Sequence, residues 1–184
     1  MATYDQLTEW AGPGHVVRAE RRVVGGWRIP DFMKARLVEV GIPVTPRLIE
    51  RVVMQSEADP VLLTDRGPLY LLTTDDDGAA ERASFGVEPE TGAVYFVMPG
   101  GAARFANSGV GVWLETLHCY GARVTASELL GEPEGPEEHF SEEEEERAFA
   151  ELERLAEKLK EIDPAAFDGY EGLLWPALLD RWLY

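Results

Sequence analysis

Cysteine is almost missing from this chain. Cys119 is the single one in 184 residues, which excludes an intrachain disulfide and any cysteine-only metal cluster and suits a reducing compartment. No apolar run approaches the roughly 18 residues that a membrane-spanning helix needs. The opening Met1-Ala2-Thr3-Tyr4-Asp5 has no basic segment followed by an apolar one, so no secretory leader is visible and a cytoplasmic location is expected. Cations are scarce as well: 17 Lys and Arg face 34 Asp and Glu, a net charge of −17, with a pI near 4.5. Such a field repels nucleic acid and anionic lipid as direct ligands. It attracts a basic protein and speeds the encounter, and it serves solubility too. Phosphate-binding glycine loops, the G-x-S-x-G elbow and the His-x-Glu with Pro-Cys-x-x-Cys pattern of zinc deaminases are also lacking.

What is present centres on residues 91–117. Residues 93–98 are dense in β-branched and aromatic side chains, which fit a pleated, half-buried surface. Pro99-Gly100-Gly101 is turn chemistry, and an extended run resumes at Arg104. Asn107 and Ser108 offer side-chain oxygens to the amides of a helix start. Val110, Trp113, Leu114 and Leu117 then fall at i, i+3, i+4 and i+7, one apolar stripe. A sheet therefore hands over directly to a helix that packs back on it.

Around this unit the chain reads in order. Thr3 and Gln6 form a capping box for a short helix through Leu7 and Trp10 that stops at Gly12-Pro13-Gly14. His15-Val16-Val17 reads as a short strand, and Arg18, Arg21 and Arg22 make the main basic cluster. A helix from Pro30 carries Phe32, Met33, Leu37 and Val40 and ends at Gly41-Ile42-Pro43. Strand candidates follow at 48–54, 69–74, 82–87, 93–98 and 103–106, with turn clusters and no helical pattern between them, so an antiparallel meander is expected. The helix after Ser108 is expected to end near Tyr120, with residues 124–130 offering a short strand and a turn. Ser141 and Glu144 make a second capping box, opening a helix with Phe149, Leu152, Leu155, Ala156, Leu159 and Ile162 on one face. Asp163-Pro164 ends it, and the apolar tail from Leu173 is expected to fold back on the rest. At this length one domain, or one domain with a helical appendage, buries roughly 70 % of its unfolded surface without a staple.

Residues suited to chemistry are few. The Glu142–Glu146 run lies in the first turns of a helix, where carboxylates complement the dipole. A metal or a basic partner is the lesser reading of the run beside that solvated helix start. Asp75-Asp76-Asp77-Gly78 lacks the alternating ligands and closing Glu of a calcium loop and reads as a hairpin turn. His15, His118 and His139 have no metal-ligand spacing. His118 and Cys119, adjacent on a helix, point about 100° apart and make no nucleophile–base pair. An enzyme would need titratable groups converging around His118 or His15. No catalytic residue, cofactor or metal is expected. Of the five tryptophans, Trp27, beside Gly25-Gly26 in a poorly patterned region, is the candidate for a surface role.

The order of elements, with Thr91-Gly92-Ala93-Val94-Tyr95, then Phe105, Asn107, Ser108, Val110, Trp113, Leu114 and Leu117, resembles the SUKH superfamily of bacterial immunity proteins. It is most similar to the fourth group, common in actinobacteria. Asp163-Pro164-Ala165 and Trp175-Pro176 with Leu179-Asp180-Arg181-Trp182 also look like that group, and the similarity covers most of residues 30–184. One position departs: Gly109 stands where members usually carry a second Ser. The resemblance implies an α+β fold, a twisted and mainly antiparallel sheet backed by helices. Residues 1–184 would form one such domain, with 132–184 a helical C-terminal extension packed on it. It also implies a non-enzymatic protein that binds and neutralises a cognate toxin domain, often a nuclease or nucleic-acid deaminase. A regulatory or scaffolding module of the same fold, without a toxin, is the alternative. A toxin acting on nucleic acid presents a basic groove, and an acidic inhibitor, monomeric when free, would fill it. The expected contact residues are Asp75, Asp76, Asp77, Glu88 and Glu90 on hairpin loops. Trp27 is expected as the aromatic anchor.

Overall fold

The structure is a computed structural model that describes residues 1–45, 48–74, 83–130, 141–169 and 172–181. Thr3 opens α1 (Tyr4–Ala11) with a complete capping box. Its hydroxyl accepts from the Gln6 amide at 3.3 Å, and the Gln6 side chain accepts from the Thr3 amide at 2.9 Å. Val16–Val17 (β1) pairs antiparallel with Ile42–Pro43 (β2). Between them lie α2 (Arg21–Val24) and α3 (Asp31–Glu39). Met33 and Leu37 of α3 face inward, while Phe32 is 65 % exposed. It lies about 100° from Met33 and about 140° from Leu37 around the helix, off the buried face.

The expected meander is present. Leu62–Thr64 (β4), Gly67–Leu71 (β5), Ser84–Val87 (β7), Val94–Val97 (β8) and Ala103–Asn107 (β9) form an antiparallel sheet in the order β4-β5-β7-β8-β9. Arg51–Val52 (β3) and Thr73–Thr74 (β6) make a separate two-stranded ladder. Three boundaries differ from expectation, the first being that residues 69–74, read as one strand, divide between β5 and β6 in separate ladders. Of residues 48–54 only β3 is strand, because Thr45 and Ile49 close a tight turn just before it. The strand β4 was hidden in what reads as a turn cluster: Asp65-Arg66 alone connects it to β5, and the Thr64 hydroxyl donates to the Gly67 carbonyl at 2.7 Å.

β4 and β9 are opposite edges in strand order, yet they are clasped. The Asp65 amide donates to the Gly101 carbonyl at 3.0 Å, and the Asp65 carboxylate accepts from the Ala103 amide at 3.1 Å. The sheet therefore curls until its first hairpin meets the turn leading into its last strand. One face packs Tyr70, Phe85, Val87, Val94 and Ala106 against the helices. The inside of the curl holds a smaller cluster of Leu69, Ala93, Tyr95, Val97 and Ala103.

The helix α4 (Val110–Ala126) lies on the first face, with Val110, Trp113, Leu114 and Leu117 all fully buried as the stripe requires. It runs six residues beyond the expected end near Tyr120, taking up 124–126 of the segment read as a strand and turn, and the turn follows at 128–130. Neither Asn107 nor Ser108 caps it; Gly109 occupies the cap with no side-chain bond. The helix α5 (Glu142–Ile162) opens with the Ser141 capping box. A 3-10 turn (Pro164–Phe167) and α6 (Leu174–Arg181) follow. α6 returns to the core, with Trp175 fully buried and the Phe105 amide donating to the Gly172 carbonyl at 2.8 Å.

Helix α1 packs where α4 offers no side chain. A Cβ on Gly121 would overlap the Trp10 ring. That ring is also tethered, its indole N–H donating to His118 Nδ1 at 3.1 Å. Gly121→Ala is therefore expected to destabilise by about 2 kcal/mol through overpacking, despite the better helix propensity of Ala. Urea unfolding would measure it; a neutral or stabilising result would mean that Trp10 swings aside freely.

Candidate interaction surface

The hairpin joining β7 and β8 carries two of the carboxylates singled out in the sequence, Glu88 and Glu90. Its geometry is fixed by local bonds. The Glu88 amide donates to the Ala93 carbonyl at 2.8 Å, the Gly92 amide to the Glu88 carbonyl at 3.0 Å, and the Thr91 hydroxyl to the Glu88 carboxylate at 2.5 Å. Glu90 is the one described non-glycine residue with positive φ, at 68°. That conformation costs about 1–2 kcal/mol for an L-residue. It is held because the Glu90 amide donates to the Arg28 carbonyl. Gly92 is required for two reasons: its φ is 74°, and a Cβ there would overlap Met33 of α3. The hairpin tip is thus locked between residue 28 and the start of α3.

Trp27 lies in the core and not at the surface. It is 1 % exposed, and its ring stacks on Tyr70 with centroids 4.8 Å apart and planes 8° from parallel. The Tyr70 hydroxyl in turn accepts from the Arg28 amide and donates to the Ala58 carbonyl, both at 3.0 Å. A Trp beside two glycines reads as exposed in sequence, but the flat face of Tyr70 is found only in three dimensions. Trp27 is the floor beneath the segment that fixes Glu90. The Arg28 guanidinium lies 3.7 Å from the Glu90 carboxylate, and both side chains remain largely in solvent, so the pair holds little energy. Asp75, Asp76 and Asp77 fall outside the described residues.

Other charged groups on this side are already engaged or mixed in sign. Asp31 and Lys34 pair at 3.1 Å beside a cleft of about 230 Å³ that also borders Arg21 and Val24. On the inside of the curl the Arg66 guanidinium sits 5.4 Å over the Tyr95 ring, and burial, followed by the Glu88 charge, pushes the Tyr95 phenol up.

The residues weighed for chemistry are dispersed. His118 Nδ1 accepts the Trp10 indole N–H, and His15 is exposed elsewhere. Cys119 is only half-buried, but that burial is the largest cause raising its thiol pKa, which keeps it the poorly nucleophilic thiol. Among the described residues, no three His, Cys, Asp or Glu side chains come together as metal ligands. No helix among them is long and apolar enough to cross a membrane. Asp163 is buried, its carboxylate accepting from Asn107 Nδ2 at 3.1 Å and the Ser108 amide at 2.7 Å. That carboxylate is bound in structure, not presented to a ligand.

The run at the start of α5 does what the dipole asks of it. Glu144 closes the capping box on Ser141, and those bonds hold its carboxyl below the usual range. What sequence reading missed are large apolar side chains left in solvent: Leu63 at 76 %, Phe32 at 65 %, Val61 at 49 % and Phe149 at 43 %. Helical spacing could have flagged Phe149, which lies on the flank of the Leu152–Leu155–Leu159 stripe and away from its centre.

A family model described as SUKH-4 immunity protein matches residues 2–181. No curated protein and no solved structure gives a significant match.

Proposed function

The chain belongs to the SUKH-4 immunity protein family, and from that premise we propose that it binds and neutralises a cognate toxin domain that acts on nucleic acid, a nuclease or a deaminase. The observation that carries the reading is the family match across 2–181. The net charge of −17 supports the finer part of it. A protein that holds phosphates offers a basic surface, and an acidic chain competes for that surface and is drawn to it. The complex is one to one, forms by contact alone without catalysis, and is made inside the cell by a free monomer. Glu88 and Glu90, on a hairpin tip that is rigid before any partner arrives, steer the encounter together with Asp75, Asp76 and Asp77.

Co-expression with the toxin domain encoded beside this gene tests the reading: the chain protects the cell, and the two co-purify. Survival that is no better with the chain than without it, for every such neighbour, rejects it. Replacing both Glu88 and Glu90 with Gln is expected to lower the association rate about 3- to 10-fold at low ionic strength, with little change in dissociation. The difference should shrink as salt shortens the Debye length to about 8 Å. Stopped-flow binding at two salt concentrations measures both.

A further inference from the structure

Helix α5 and helix α6 do not close against each other along their whole length. Between them, with the 3-10 turn, lies a shallow groove of about 290 Å³ lined by Phe149, Leu152, Ala156, Phe167, Pro176 and Leu179. The groove is apolar, and Phe149, 43 % exposed, forms one wall. The charge at its Phe149 end is negative, while Lys160, four residues past Ala156, stands at the other end. Glu142, Glu145 and Glu146 precede Phe149 by seven, four and three residues, which puts them on its side of the helix, and Glu153 follows by four. All four are exposed. None of them is among the ion pairs of the described residues, whereas Glu151, on another face of α5, is taken by Arg123 at 3.0 Å.

We propose that this groove is the apolar anchor site of the toxin complex, receiving a bulky apolar side chain that the toxin presents with Lys or Arg around it. The inference rests on the immunity function proposed above and adds where the contact is made. Dipole complementation accounts for carboxylates in the first turn of α5. It does not account for Phe149, whose ring gains nothing from standing in water. An interface centred on a well-packed apolar pocket with a charged rim is the arrangement in which a few residues dominate affinity. The sign of the rim at the Phe149 end selects a basic partner over a neutral one. Trp27, buried under the hairpin, cannot fill this role; Phe149 can.

The test uses the full chain and the toxin domain encoded beside it. Phe149→Ala is expected to weaken binding about 30-fold, mainly through faster dissociation, and Phe149→Lys to weaken it further. Glu142, Glu145 and Glu146 all changed to Gln should cost about tenfold in association rate. Phe32→Ala, an exposed aromatic on α3, should leave affinity unchanged. Phe149 is partly buried and Glu142 and Glu145 complement the helix dipole, so these variants are expected to lose modest stability, and circular dichroism establishes that each is folded before affinities are compared. Unchanged affinity in both Phe149 variants, beside a tight wild-type complex, overturns the groove and leaves the immunity reading standing. No complex with wild type overturns both. A toxin-independent arm titrates the 15N-labelled chain with a helical peptide bearing Leu on one face and Lys on the other. Shift changes gathered around 149, 152, 156, 167 and 179 that persist at high salt support the site; changes spread over the acidic surface that vanish with salt overturn it.

Discussion

Replacing Asn107 with Ala is expected to cost about 3 kcal/mol or more, because it strands several buried partners at once. Asn107 is fully buried at the end of β9. Its Nδ2 donates to Thr116 Oγ1 and to Asp163 Oδ2, each at 3.1 Å, and its Oδ1 accepts from Trp175 Nε1 at 3.1 Å. One side chain thereby joins the sheet to α4, to the end of α5 and to α6. Without it the Asp163 carboxylate retains the Ser108 amide but loses a donor, and the indole N–H of Trp175 loses its acceptor. For a chain of this size that loss corresponds to a fall in Tm of about 10 °C. Asn107→Asp is expected to be worse at neutral pH, since it sets a second carboxylate against that of Asp163. Its extra penalty should shrink as the solution is acidified, because protonating one carboxyl removes the repulsion. Thermal unfolding of both variants at neutral and mildly acidic pH checks size and sign together. A loss under 1 kcal/mol in Asn107→Ala would show that the C-terminal helices are held by packing alone.

The second large effect is expected at Gly86. This residue sits in the centre of the sheet, opposite Tyr95 and Leu71, and faces the inside of the curl. A Cβ there would lie 2.8 Å from Leu69 Cβ and 2.9 Å from Leu62 Cδ2. Leu69 Cβ sits next to backbone and cannot retreat without moving its strand. Gly86→Val should therefore cost about 3 kcal/mol, at the upper end for overpacking, and Gly86→Ala less. The strain would be relieved by opening the curl, which pulls on the clasp between Asp65 and Ala103. In hydrogen exchange the Ala103 and Asp65 amides should lose protection earlier than the β7–β8 ladder. If Val is accommodated with no loss of stability, the tightness of the curl has been misread.

How far each of these sites could be seen in the residues alone differs, and the difference is physical. The two capping boxes, the stripe of Val110, Trp113, Leu114 and Leu117, and the order of strands from β5 to β9 rest on interactions spanning a few residues. Signals of that range lie in the sequence itself. The β4 strand escaped because its connection to β5 is so short that strand end and turn share the same residues. Asn107 was legible as a helix cap, the local use of its side chain, and the structure gives it another use. Two of its three partners stand 56 and 68 residues away. Trp27 was misplaced for the same reason, since what buries it is Tyr70, 43 residues along the chain. The carboxylates of the hairpin were visible as charges, but not that a left-handed Glu90 and the close approach of Gly92 to Met33 hold them rigid.

By itself, then, the sequence determined the class of fold, the absence of disulfide reinforcement, the acidic field and the family. The first three follow from composition, from periodicity, or from bonds closed within a turn, and the family from the resemblance of particular residues, matched over 2–181. Only the tertiary structure decided which aromatic side chains are spent on the core and which are left at the surface. Trp27 went inside and Phe149 stayed partly out, because burial depends on which distant elements arrive against a face, and no local pattern encodes that arrival.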